Sequence, residues 1–287
     1  MRTPEHTLRF VATVTRGLPT LTRLTAALAL TATVSGRAEV VSTLVEYKQA
    51  DTVLEGLSVY DDAVIGKRPG VLIAHQWTGL GEHEKKRAEM LAGLGYNVFA
   101  LDIYGRGIRP QTPQAAATEA AKYENDRALL RARVGAGLEV LTNHELTDPR
   151  RIAGIGYGLG GMAVLELARS GTCISGVVSF YGRLSSPAPP VAKNIRANVL
   201  VLCGIDDPYV PASEVATFKA EMVQAGVVWQ VISYGGAVHR FSDRNAGSDG
   251  STGSAYNERA DRRSWEAMKQ FLTQVFTNGF ESAVGRP

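Results

Sequence analysis

Three positions in this chain have the residue types and the chain order that acyl transfer uses, and at one of them there is no side chain. The run Ile152-Ala153-Gly154-Ile155-Gly156-Tyr157-Gly158-Leu159-Gly160-Gly161 reads as an apolar strand turning sharply through glycines into a helix. Such a turn sets its apex over the C-terminal edge of a sheet, at a helix N-terminus whose unpaired N–H groups and dipole favour negative charge. A nucleophile held in a strained conformation ordinarily stands there. Here the apex is Gly158. Asp207, in Cys203-Gly204-Ile205-Asp206-Asp207-Pro208, follows a later apolar strand, and His239, in Gly235-Gly236-Ala237-Val238-His239, follows the last one. A carboxylate so placed fixes the tautomer of a histidine and stabilises its cation, so Asp207, rather than Asp206, and His239 are the expected acid and general base. Taken singly, each has a plainer explanation: Asp207 as the cap of the turn before Pro208, His239 as a solvated loop residue. The catalytic reading rests on the set, in this order, behind the glycine turn.

The same letters satisfy G-x-G-x-x-G through Gly156, Gly158 and Gly161, so a dinucleotide-binding turn competes with this reading. It is disfavoured because the turn lies mid-chain after several strands and because the next strand ends Ser179-Phe180-Tyr181-Gly182-Arg183, with no acidic residue for a ribose. No cofactor is expected. Among the other histidines, His75 ends a strand, where it faces the site or bonds backbone, while His6, His83 and His144 sit in polar surroundings. None has metal-ligand spacing, so no metal site is expected.

These residues need a parallel sheet to hold them, and the hydrophobic pattern supplies one. Val40 to Tyr47 and Val53 to Tyr60 read as a hairpin. Strands then follow at Gly70–His75, Tyr96–Leu101, Arg151–Gly156, Gly176–Phe180, Asn198–Leu202 and Val228–Ser233. Helices are expected around Glu82–Leu94, Pro113–Leu141, Leu159–Ser170, Ser213–Ala225 and Asn257–Thr277. This alternation predicts an α/β fold with a mostly parallel central sheet of about eight strands and helices on both faces. Arg183–Ala192 and Ser242–Gly253 read as surface loops, since strands and helices resume after each.

The chain has 287 residues, 45% hydrophobic and 21% charged, with a formal net charge of +3. That suits one globular domain, and the scattered basic residues argue against a nucleic-acid partner. Residues 1–38 resemble a signal peptide: Arg16 and Arg23, an apolar run from Leu24 to Val34, then Ser35-Gly36-Arg37-Ala38. Export to the periplasm with cleavage near Ala38 is expected, leaving 39–287 as a single domain; a cytosolic leader is the alternative. The run is too short to span a bilayer of about 30 Å, and no other segment reads as a membrane span. Cys173 and Cys203 are expected at opposite ends of the strands, too far apart for a disulfide, and both read as buried core residues. A monomer is expected.

From about Val40 to Phe276 the chain resembles the dienelactone hydrolase family of α/β-hydrolases. Val71-Leu72-Ile73-Ala74-His75-Gln76-Trp77-Thr78-Gly79-Leu80 is similar to that family's first parallel strand and oxyanion loop, Ala100-Leu101-Asp102-Ile103-Tyr104-Gly105 to its next strand end, and Gly156 to Gly161 to its nucleophile elbow. Tyr256-Asn257 and Ala260-Asp261-Arg262-Arg263-Ser264-Trp265 look like the start of the last helix in exported bacterial members. The resemblance implies Asp207 and His239 as acid and base, the N–H groups of Trp77 and Leu159 as oxyanion donors, and Gln76, Tyr104 and Arg106 as pocket residues.

Two positions depart from the pattern. The family's elbow reads Gly-Tyr-Cys-x-Gly-Gly, and a glutamate follows its strand-end histidine; here these are Gly158 and Gln76. The resemblance implies that the glutamate exchanges a proton with the cysteine to generate the thiolate, the reactive form. Glycine has nothing to attack with, which excludes covalent catalysis at position 158. Two function classes follow. One is a hydrolase of small-molecule esters or lactones in which His239 activates water directly. The other is a non-catalytic binding module, for a small molecule or a partner, on the same fold. A hydride-transfer enzyme is the disfavoured third.

Overall fold

The computed structural model describes residues 39–187 and 189–277. The expected signal peptide lies outside the described residues. Strand β1 (Val40–Gln49) pairs antiparallel with β2 (Thr52–Asp61) in the expected hairpin. Six further strands follow: β3 (Arg68–Ala74), β4 (Asn97–Leu101), β5 (Thr147–Tyr157), β6 (Gly176–Phe180), β7 (Asn198–Gly204) and β8 (Trp229–Tyr234). They form one eight-stranded sheet in the order β1-β2-β4-β3-β5-β6-β7-β8, parallel from β4 to β8.

The central strands are buried on both faces, which explains their unbroken Val, Leu, Ile and Ala runs. Helices α1 (Glu82–Ala92) and α6 (Glu258–Thr277) pack one side, through Ala88, Leu91, Met268, Phe271 and Leu272. On the other lie α2 (Pro113–Asn125), α3 (Arg127–Asn143), α4 (Leu159–Arg169) and α5 (Ala212–Ala225), contributing Ala120, Leu130, Val134, Met162 and Phe218.

The single long helix expected over Pro113–Leu141 is two. The chain breaks at Asp126, whose carboxylate accepts the Leu129 N–H (2.9 Å) and so caps α3. Cys203 is buried, but Cys173 is exposed, so the expectation of two core cysteines fails at the second; both are free. Ser242–Gly253 is not wholly a surface loop either, because Ser242 and Asp243 are each 1% exposed. His83, expected in polar surroundings, does stand beside Asp243, but it is buried, edge-on against Tyr157 with ring centroids 4.6 Å apart. No helix among the described residues is long and apolar enough to cross a membrane.

Strand order reverses at β3, whose neighbours are β4 and β5. The chain leaves β3 for a helix on one face and β5 for a helix on the other. A crevice opens at the strand C-termini at such a point. Ala74 and Gly156 are register partners across it, so the segments that follow, 75–81 and 157–159, face each other.

Candidate functional site

The elbow forms because α4 lies almost on top of the sheet. All eleven of its residues are buried, and its first turn passes so close to β3 and β5 that a Cβ on Gly160 would stand 2.0 Å from the Ala74 carbonyl oxygen, and one on Gly156 1.9 Å from that of Gly160. Only glycine permits that approach. At the apex Gly158 has φ +54° and ψ −112°; its N–H donates to Phe180 O (2.9 Å) and its carbonyl accepts the Met162 N–H (3.2 Å).

A Cβ on Gly158 would meet nothing closer than His239 Nε2 at 3.7 Å, Gln76 Cβ at 3.8 Å and Tyr181 Cδ2 at 4.0 Å. The elbow therefore retains the space for a side chain, with an imidazole nitrogen facing it. His239 is placed by the loop after β8, tied down by its N–H to Gly253 O (3.1 Å) and its carbonyl to the Ala255 N–H (3.0 Å). Its Nδ1 donates to Asp207 Oδ2 (2.9 Å), leaving Nε2 toward the elbow. Asp207 in turn accepts the Tyr209 and Val210 N–H groups at 2.8 and 3.3 Å through its other oxygen and is 3% exposed. Tyr181 and Tyr209 stand edge-on to the His239 ring, at 5.2 and 4.9 Å between centroids. Asp206, set aside at the outset, is exposed and accepts the Gly236 N–H instead.

The segment after β3 carries the other side of the site. His75 Nε2 accepts the Ile103 N–H (3.0 Å), so its proton sits on Nδ1 and is donated to Gln76 O (2.7 Å). Complete burial is the main reason that the His75 pKa falls to about 4, so the ring is neutral. The same carbonyl accepts the Gly79 N–H (3.0 Å). Because the Gln76–Trp77 peptide is trans, holding its oxygen on one side aims the Trp77 N–H to the other. Tyr104 OH donates to Trp77 O (2.7 Å), and the Glu84 carboxylate accepts the Gln76 N–H (3.3 Å) and the Gly81 N–H (3.0 Å). Burial pushes the Glu84 pKa up to about 7 against these hydrogen bonds. The Trp77 N–H and the Leu159 N–H at the start of α4 have no main-chain acceptor among the described residues. They are available to an oxyanion.

Behind the site lies a polar network that the sequence reading missed. Gln76 Nε2 donates to Asp243 Oδ2 (2.9 Å), to which Arg240 also donates (2.6 Å), and His83 Nδ1 is 3.8 Å from Oδ1. Burial by itself would raise the Asp243 pKa, but the Gln76 amide, His83 and Arg240 together hold it below the usual carboxylate range. Tyr181 OH bonds Ser242 Oγ (3.0 Å) in the same loop. Tyr181 (φ +42°) and Arg240 (φ +56°) are two of the three non-glycine residues with positive φ among those described, and both line the cavity. Strained backbone of this kind persists where surrounding contacts enforce it, which is commonly at a site.

A cavity of about 280 Å³ opens over Gly158. Gln76, Trp77, Leu159 and His239 line it as expected, together with Tyr181, Tyr209, Met162 and the α2 alanines Ala117 and Ala120. Two expectations are corrected. Arg106 is exposed and paired with Glu46 of β1, because the chain reaches the surface after the buried Gly105; it does not line the cavity. Tyr104 is 2% exposed and lies behind Trp77, so it supports the wall without forming it. Arg183 and Arg240 stand in the lining instead, with Arg240 neutralised by Asp243. No group of His, Cys, Asp or Glu among the described residues is arranged to hold a metal ion.

Comparison with known proteins places this geometry. Residues 54–276 match the model of the dienelactone hydrolase family. The crystal structure of a dienelactone hydrolase-like promiscuous phosphotriesterase from metagenomic libraries superposes with a TM-score of 0.80 and 35% identity, over 84% of this chain and 100% of that one. An uncharacterized protein of Caenorhabditis elegans is 30% identical over 149 residues, 51% of this chain and 94% of its own. A Synechocystis protein provisionally named carboxymethylenebutenolidase is 22% identical over 232 residues, 75% of this chain and 90% of its own. The chain belongs to the dienelactone hydrolase family, with the α/β-hydrolase fold and the small-molecule substrate that this family implies.

Proposed function

We propose that this protein hydrolyses carboxylic esters or lactones by direct attack of water, with no covalent intermediate. One observation carries the reading: His239 Nε2 faces the unfilled space at Gly158 from 3.7 Å while Asp207 holds Nδ1 at 2.9 Å. A water entering that space gives its proton to Nε2 as its oxygen bonds the substrate carbonyl. The oxyanion meets the Trp77 and Leu159 N–H groups, and the departing alkoxide recovers the proton from His239. Asp207 stabilises the transient imidazolium. Turnover is slow, since an oxyanion hole and a base without a nucleophile retain roughly 10³-fold acceleration over water.

Hydrolysis of neutral aryl esters, lactones and a phosphotriester, the last on account of the metagenomic relative, tests this. Loss of activity in His239→Ala and Asp207→Asn is expected. A rate unchanged in His239→Ala rejects the mechanism. The second reading, a binding protein on the same fold, draws on Gln76, whose amide is committed to Asp243. It is favoured if the cavity binds a neutral aryl ester that is never turned over. Export, with cleavage near Ala38, is a companion proposal, tested by the N-terminus of the protein from a periplasmic fraction.

A further inference from the structure

We propose that the space above Gly158 seats a small external thiol, and that the protein transfers the acyl group of an ester to it, forming a thioester. This rests on His239 acting as the base in the reading above.

The argument begins with size. A cysteine side chain places two heavy atoms beyond Cα, and the position of the first is open here to 3.7 Å from His239 Nε2, 3.8 Å from Gln76 Cβ and 4.0 Å from Tyr181 Cδ2. An untethered thiol carbon stands about 2 Å further from the Gly158 Cα than a bonded Cβ, since contact replaces a bond. The side on which it must stand off is the cavity of about 280 Å³.

Charge supplies the preference for sulfur. The space lies at the N-terminus of α4, which favours an anion. A thiol, with a pKa of about 8.5, yields its proton to an imidazole far more readily than water, a much weaker acid. The seat thus has the features that activate a cysteine, without the cysteine.

The step balances without a redox change. The S–H proton passes to His239 Nε2 as a sulfur lone pair forms the C–S bond. The carbonyl electrons move to oxygen, opposite the Trp77 and Leu159 N–H groups, and on collapse the C–O bond breaks. The alkoxide takes the proton from His239, giving a thioester and an alcohol.

The experiment offers phenyl acetate with 2-mercaptoethanol, and in parallel with the bulky 2-methylpropane-2-thiol, and measures thioester by chromatography against the enzyme-free rate. Enzyme-dependent thioester at roughly ten times that rate or more, saturating in 2-mercaptoethanol, is expected. The bulky thiol should give none, and His239→Ala should abolish the effect. Gly158→Ala, whose Cβ occupies the seat, should lose the thiol dependence; the size series on the unaltered protein decides the matter if that variant does not fold. Phenol release without thiol is read separately. Hydrolysis with no enzyme-dependent thioester overturns this inference and leaves the water mechanism standing. Thioester without hydrolysis supports the inference and overturns the water mechanism, and failure of both overturns both.

Discussion

His239 Nε2 lies 3.7 Å from the point where a Cβ on Gly158 would stand, so this imidazole nitrogen faces a position where the protein has no side chain. Gly158→Cys should therefore fit. Its Cβ makes only ordinary van der Waals contacts, and its cost is the φ of +54°, about 1–2 kcal/mol of strain. The expected outcome is an acyl-enzyme, seen as an added acyl mass on the intact protein after brief exposure to an activated ester. The unaltered protein should show none. A folded variant that acquires no adduct would mean that the His239–Asp207 pair does not activate a thiol at this apex.

Gln76 bears on whether the rest of the family mechanism can be restored. Its amide donates to Asp243 Oδ2 at 2.9 Å, so Gln76→Glu would set one carboxylate against another inside the protein. One of them must take up a proton, and its folded-state pKa rises above the unfolded value. A raised pKa gives stability that is present below the unfolded pKa and lost as pH rises through the folded one. Gln76→Glu should then lose roughly 2 kcal/mol against the unaltered protein between pH 5 and pH 8. Adding Asp243→Asn should remove most of that pH dependence. Urea denaturation at the two pH values measures both, and an equal difference at each would show that the two carboxyls do not interact.

The sheet, the elbow, Asp207 and His239 were legible in the sequence because each is encoded locally. Apolar runs of strand length, glycines at a close approach and a strand-end aspartate are all statements about neighbouring residues. The break at Asp126 was local too, a helix cap with no glycine or proline beside it to announce it. What the sequence concealed was long-range pairing. Gln76 and Asp243 are 167 residues apart, and nothing near either one signals the other. Tyr181 and Arg240 adopt positive φ under tertiary contacts that their own residue types do not suggest. Arg106 was placed in the pocket by its position after a strand, but Glu46, 60 residues earlier, draws it away.

Tyr104 and Arg106 give a paired test of that correction. Tyr104→Phe keeps the ring against His75 and Tyr123, at 4.7 and 5.3 Å between centroids, and removes only the hydrogen bond to Trp77 O. Loosening the segment that carries the Trp77 N–H should lower kcat roughly tenfold with KM little changed, as expected for a group that acts on the oxyanion through its neighbour. Arg106→Ala touches only an exposed pair and should change kcat/KM less than about twofold. Steady-state kinetics on one neutral ester suffices. A large effect of Arg106→Ala on KM would return that residue to the substrate.

Glu84 makes the segment after β3 sensitive to pH. Its carboxylate is fully buried and accepts the Gln76 and Gly81 N–H groups, yet burial raises its pKa from the ordinary 4.5 to about 7. The sign follows from linkage: the folded state holds the proton more tightly, so this contribution is complete below about pH 4.5 and is lost as pH climbs through about 7. Integrated over that window it is on the order of 3 kcal/mol. Glu84→Gln cannot ionise. It retains an acceptor oxygen for one N–H and gives up the other, a cost that does not change with pH. The stability of the unaltered protein relative to Glu84→Gln should therefore fall between pH 5 and pH 8. His75, buried and depressed to about 4, has the opposite dependence, with stability lost as pH falls from 6.5 toward 4. It is present in both proteins and cancels in their difference. Urea denaturation of the pair at half-unit steps isolates Glu84, and a difference that stays level across the range would show that this carboxyl ionises as freely in the folded protein as outside it.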